Sequence, residues 1–188
     1  MPDLREQIKQ CLRGRVCFMG LGNVDYGDDG FGVRLAERLE ALGLPGVIVA
    51  GTMPERFIGG AMDNSYDYFL FLDAAEFGGS PGSVIFLNAE EMAARFPQIS
   101  THKISLGLLA KWIEESGKTK AFLLGVQPES LKTVVELTST VQTTLDVLTS
   151  LFNELWNNCK ESSDTSLQHR DWLEGRSQAE APITEVTV

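Results

Sequence analysis

The chain has 188 residues, enough for one domain with a proper core and too few for two comfortable ones. Its 43% hydrophobic and 22% charged residues are those of an ordinary globular protein. With 26 acidic against 16 basic side chains the net charge is −10, which excludes general nucleic-acid binding, because neutralising phosphates takes a basic face.

Residues 3–13 are expected to form a short amphipathic helix, with Leu4, Ile8 and Leu12 on one face. This N-terminal stretch lacks the apolar centre of a signal peptide, and no run approaches membrane-spanning length. The expectation is a cytoplasmic protein with no membrane insertion. "RVCFMGLG" (15–22) is a compact apolar run ending in glycines, which suits a buried strand. In the helix that follows, Phe31, Leu35, Leu39 and Leu42 recur at helical spacing, Gly43 sits where a C-terminal cap belongs, and Pro45 prevents continuation. "GVIVAG" (46–51) is the second strand, and "PERFIGGAMD" is a short, weak helix or a loop.

"YDYFLFLDA" (66–74) carries the strongest strand signal and ends at Asp73. Only "AEFGGSPG" separates it from "SVIFLN" (83–88), too short a link for a crossover helix, so these two strands are antiparallel if they pair. "AEEMAARF" is a short helix and "THKISLGLLAKWIEESG" (101–117) a longer one, with Ile104, Leu108 and Trp112 in step. "KAFLLGVQP" (120–128) is the last strand, stopped by Pro128. A final helix is expected over Leu131–Asn158, with a stripe of Leu131, Val134, Val141, Leu145, Leu148, Phe152 and Leu155. From Lys160 the character turns polar, which divides the chain into one α/β domain, 1–159, and a mobile tail, 160–188, whose apolar pair is Trp172–Leu173.

Strands alternating with helices indicate an α/β fold: a three-layer sandwich with a mostly parallel twisted sheet of about five strands, one antiparallel edge strand, and helices on both faces. In such sheets the functional crevice lies beyond the carboxyl ends of the strands. Three polar groups belong to that edge: Asp29 at the mouth of the first long helix, Asp73 closing the third strand, and His102 opening the helix that leads to the last strand. Two carboxylates and an imidazole form a ligand set that suits zinc, nickel or iron with positions left open. Each also has a purely structural reading. Asp28 or Asp29 would stabilise a helix by about 1 kcal/mol as its N-cap. Asp73 would bond the turn after its strand, and Thr101 or His102 would cap a helix. The other histidine, His169, lies in the polar tail.

Other sites are poorly matched. Gly20, Gly22 and Gly27 miss the third position of G-x-G-x-x-G, and Asp28 and Asp29 would put negative charge where a pyrophosphate should sit. No GxxxxGK[ST] or G-x-S-x-G is present. A receiver domain wants its paired acids directly at the strand end and a lysine closing the last strand, where "LLGVQP" has none. Cys11, Cys17 and Cys159 are scattered without any CxxC, as befits incidental thiols in a reducing compartment.

Taken in order, five segments resemble the nickel–iron hydrogenase maturation endopeptidases. "GLGNVDYGDDGFG" is similar to that family's G-x-G-N-x-x-x-x-D-[DE]-x-x-G, "AGTMPERFI" to its second-strand exit, "FLFLDAAEFGGSPG" to its central strand ending in Asp, and "STHKISL" to its histidine segment. "FLLGVQPESL" resembles the last strand of the branch serving the hydrogenase of formate hydrogenlyase. The resemblance implies an aspartic or metal-assisted peptidase that removes a C-terminal peptide from the hydrogenase large-subunit precursor once nickel is in place. It puts the catalytic, metal-contacting positions on Asp29, Asp73 and His102. Gly22 and Asn23 would shape the turn, Asp28 would support the helix start beside the site, and Gly30, Gly51 and Thr52 would complete its walls. Nickel would arrive with the precursor, as the protein's only cofactor, and the enzyme would act as a monomer. Whether metal-bound water or a carboxylate base drives hydrolysis stays open, as does a non-cutting module that checks nickel insertion. One departure is plain: many members have Asp-Gly-Gly at the second-strand exit, where this chain reads Val49-Ala50-Gly51.

Overall fold

The aromatic and apolar run Tyr68–Ala74 becomes the middle strand of a five-stranded sheet, because its alternate side chains find an apolar layer on each face. The computed structural model describes residues 3–62, 66–95, 105–115 and 117–175. In chain order these form α1 (Leu4–Leu12), β1 (Val16–Leu21), α2 (Phe31–Ala41), β2 (Val47–Gly51), α3 (Glu55–Met62), β3 (Tyr68–Ala74), β4 (Val84–Asn88), α4 (Ala89–Arg95), α5 (Leu106–Glu115), β5 (Lys120–Val126) and α6 (Ser139–Gly175). The strand order is β2-β1-β3-β5-β4. β2, β1, β3 and β5 run parallel, and β4 pairs antiparallel to β5. This is the expected α/β architecture with its single antiparallel edge.

Alternation along the strands divides the interior in two. Val16 and Phe18 of β1, with Leu70 and Leu72 of β3, pack under α1, α2 and α6 against Ile8, Leu35, Leu39, Leu145 and Phe152. Cys17, Met19 and Leu21, with Phe69 and Phe71, face α3, α4 and α5 through Ile58, Met92, Leu106 and Ile113. Among the described residues no helix is long and apolar enough to cross a membrane.

One element left open by the sequence reading is decided, and two differ from it. The segment "PERFIGGAMD" resolves into a helix, α3, whose Ile58 and Ala61 are buried. In α5 the buried face is Leu106, Leu109, Ala110 and Ile113, while Leu108 and Trp112 are 66% and 50% exposed. The helix is turned this way by Gly107, where a Cβ would come within 2.8 Å of the Ala93 backbone, so α5 meets α4 along its glycine. Ile104 lies outside the described residues.

The last helix begins at Ser139, not Leu131. The intervening main chain is bonded elsewhere: Gly27 N–H donates to Val134 O at 2.6 Å and Asp28 N–H to Ser130 O at 3.0 Å, so those carbonyls are not available for a helical ladder. At its other end α6 continues through Gly175, past the change of composition at Lys160. No glycine or proline interrupts 160–174, and polarity decides burial more than helicity. Residues 176–188 of the expected tail lie outside the described residues.

Two truncations separate these packing roles. Phe152→Ala removes a fully buried ring set edge-on to Phe18 at 5.8 Å, and should cost about 3–5 kcal/mol in urea unfolding. Leu108→Ala should change stability by less than about 0.5 kcal/mol. A large loss at Leu108 would mean that the helix face is misassigned.

Candidate active site

The carboxyl ends of β1, β2, β3 and β5 share one edge of the sheet, and the register of β1 on β3 puts Gly20 beside Leu72 there. Leaving β1, the chain takes φ +114° at Gly22, where a Cβ would lie 1.7 Å from Asp29 O. Only glycine has both that dihedral and that clearance. A Cβ at Gly32 would lie 1.9 Å from Leu72 O and 2.6 Å from Leu21 O. The glycines therefore let α2 press its first turn onto the exits of two strands, and the acids ride on that turn.

Asp28 and Asp29 sit in a 3-10 turn over Gly27–Gly30 that leads into α2. Neither caps α2: its N-cap position is Gly30, with no side-chain hydrogen bond. Asp28 is fully buried and serves a different helix from the one expected. Its Oδ2 accepts hydrogen bonds from Glu129 N–H at 2.8 Å and Ser130 N–H at 2.9 Å, and its Oδ1 from Thr138 N–H at 2.8 Å. The Thr138 hydroxyl donates at 3.0 Å. One carboxylate thus fastens the whole connection from β5 to the start of α6.

Asp29 points to the sheet edge. Its Oδ2 accepts the Asn23 N–H at 2.7 Å, and Asn23 Oδ1 in turn accepts the Asp25 N–H at 3.0 Å, closing a tight local turn. Its Oδ1 is buried with no hydrogen-bond partner among the described residues. Such an oxygen costs about 1–3 kcal/mol, a cost that a cation or a donor from outside would offset. Asp73, also fully buried, stands one residue beyond Leu72 and pairs in register with Gly125. Asp29 and Asp73 therefore occupy adjoining strand exits.

Gly51 ends β2 with φ +60° and its carbonyl accepts the Gly22 N–H at 3.1 Å, while Thr52 lies in the exposed turn that follows. His102 lies outside the described residues. Among the described residues no three His, Cys, Asp or Glu side chains gather closely enough to hold a metal ion. Burial pushes the Cys11 and Cys17 thiols up to about 12, which makes both inert as nucleophiles at neutral pH.

Two positioning residues escaped the sequence reading. Gln127 is buried, and its Oε1 accepts the Phe77 N–H at 2.9 Å and the Gly79 N–H at 3.2 Å, shaping the loop that follows Asp73. The signal was a lone amide between an apolar strand and Pro128. Thr138 is the partner of Asp28, and its position just before the final helix was hidden by the expectation of a helix from Leu131.

The family model described as HycI, hydrogenase maturation protease, matches residues 33–153, a span that begins after the glycine turn and includes Asp73 and His102. The hydrogenase 2 maturation protease of Escherichia coli K12 is 31% identical over 140 residues, covering 70% of this chain and 84% of that protein. The hydrogenase 3 maturation protease of the same strain is 32% identical over 111 residues, covering 58% and 70%. The crystal structure of the [NiFe] hydrogenase maturation protease HycI from Thermococcus kodakarensis KOD1 aligns with a TM-score of 0.71 and 30% identity, over 80% of this chain and 99% of that one.

Asp28→Ala would leave three main-chain N–H groups without their acceptor and should destabilise the protein by about 3 kcal/mol or more. Thr138→Val, which keeps the main-chain bond, should cost only about 1 kcal/mol. Equal losses in thermal unfolding would mean that the carboxylate does not act through the backbone.

Proposed function

This chain belongs to the hydrogenase maturation protease family, and from that premise we propose that it is an endopeptidase removing a C-terminal peptide from the nickel-loaded large-subunit precursor of a nickel–iron hydrogenase. The observation that carries the reading is the buried Oδ1 of Asp29, which has no hydrogen-bond partner among the described residues, at the exit of β1 and next to the exit that carries Asp73. An oxygen held out of water with its sister oxygen fixed by Asn23 is a preorganised acceptor.

In this reading nickel is part of the substrate and the free enzyme keeps no permanent metal. Asp29, Asp73 and His102 are its contacts, the last by resemblance to the family. When bound, the precursor's nickel supplies Lewis-acid chemistry at the scissile carbonyl or at a water. Asn23 N–H fixes the orientation of Asp29, Gly22 makes room for the Asp29 carbonyl, and Gln127 sets the loop beyond Asp73. A carboxylate at this edge is suited to take the proton of the attacking water. The enzyme works as a monomer in the cytoplasm.

The test is intact-mass spectrometry of nickel-loaded precursor incubated with this protein or with Asp29→Asn. The wild type should remove one C-terminal peptide in a nickel-dependent manner, and the variant should be slower by roughly 100-fold or more. Complex formation without any loss of mass, from a precursor that another maturation protease does process, would make the protein a checking module instead of a peptidase.

A further inference from the structure

We infer that the outer edge of β2 is the subsite that receives the precursor's extended segment, added as a sixth strand beside Val47–Gly51. This deepens the proposed function and rests on it. β2 is the edge strand on the side of β1, and among the described residues it pairs with β1 alone. The ladder places Phe18 opposite Val47 and Gly20 opposite Val49, and Phe18 N–H donates to Gly46 O. In a parallel ladder the bonds to Phe18 and Gly20 come from Gly46, Ile48 and Ala50. The N–H and C=O of Val47 and Val49 therefore point away from the sheet.

Natural sheets guard such an edge with charge, proline or a bulge that turns it away. Here the strand reads Val-Ile-Val-Ala-Gly, with no charge and no proline, and the irregularity lies only at its exit. Val49 is 40% exposed, and so are Met53 and Phe57, which lie just past the strand and near the start of α3. Apolar side chains are thus offered beside open backbone groups, the combination by which a sheet edge captures an extended peptide.

Position selects the occupant. Gly51 carbonyl accepts the N–H of Gly22, the residue before the Asn23 that holds Asp29. A segment laid along β2 leaves at the carboxyl edge of the sheet, about 10 Å from the exit of β1, and reaches Asp29 by crossing over Gly51. Five residues span about 16 Å, enough for two outward hydrogen-bonding residues and an apolar lip. This chain lacks an acid at the β2 exit, so selection there falls to main chain and to Val49, Met53 and Phe57.

The experiment is precursor cleavage by Val49→Pro, together with hydrogen exchange on the complex of precursor with Asp29→Asn. Proline removes only an outward N–H, a change that edge strands accept. KM should rise about tenfold with kcat within twofold, as for the loss of uniform binding. In the complex the amides of Val47 and Val49 should become protected. The exchange measurement stands even where the proline variant is unstable. If wild type cuts, but KM is unchanged in a folded Val49→Pro and both amides stay unprotected, the inference is overturned and the peptidase reading survives. A free protein that is dimeric through this edge, and monomeric as Val49→Pro, would overturn it in favour of a second copy. Failure of the wild type to cut removes the reading and the inference together.

Discussion

The constraint on which the rest depends is the burial of the Asp28 carboxylate among backbone donors. Its partners, Glu129, Ser130 and Thr138, lie more than 100 positions away in the chain, and three of the bonds come from main-chain N–H groups. A carboxylate taken out of water is tolerable only when such donors surround it. The arrangement is accordingly all or nothing: with Asp28 in place the exits of β1 and β5 and the residue before α6 are fixed relative to one another. Asp29, the next residue, inherits its position from that anchorage.

Two adjacent acids therefore divide the work. Asp28 is saturated and structural, while Asp29 keeps one buried oxygen unbonded among the described residues. The first is stabilising and the second destabilising, the usual division between a scaffold and the site that it supports. The glycines between strand and helix belong to the same design. They bring the first turn of α2 into contact with the exits of β1 and β3.

Much of this was legible before any coordinates. The apolar runs gave all five strands to within two residues, and the eight-residue link gave β4 a sense opposite to β3, although the two do not pair and β5 lies between them. The apolar period gave α1 and α2, and the glycine spacing excluded a dinucleotide loop. What was not legible depended on partners remote in sequence. The stripe Ile104–Leu108–Trp112 competes with an overlapping stripe through Leu106, Leu109 and Ile113, and only the contact of Gly107 with α4 decides between them. Leu131 and Val134 fit a helical period, yet their segment is bonded to the turn at Gly27–Asp28.

By itself the sequence determined the elements, the layer order of an α/β sandwich, and the residue types at its functional edge, because apolar periodicity and glycine placement are local physics. Tertiary structure alone decided which aspartate is a bolt and which is an open acceptor, where the last helix starts, and which strand edge stands free among the described residues. Those outcomes turn on hydrogen bonds between loops far apart in the chain, and a carboxylate carries no mark in the sequence of how many donors folding will bring to it.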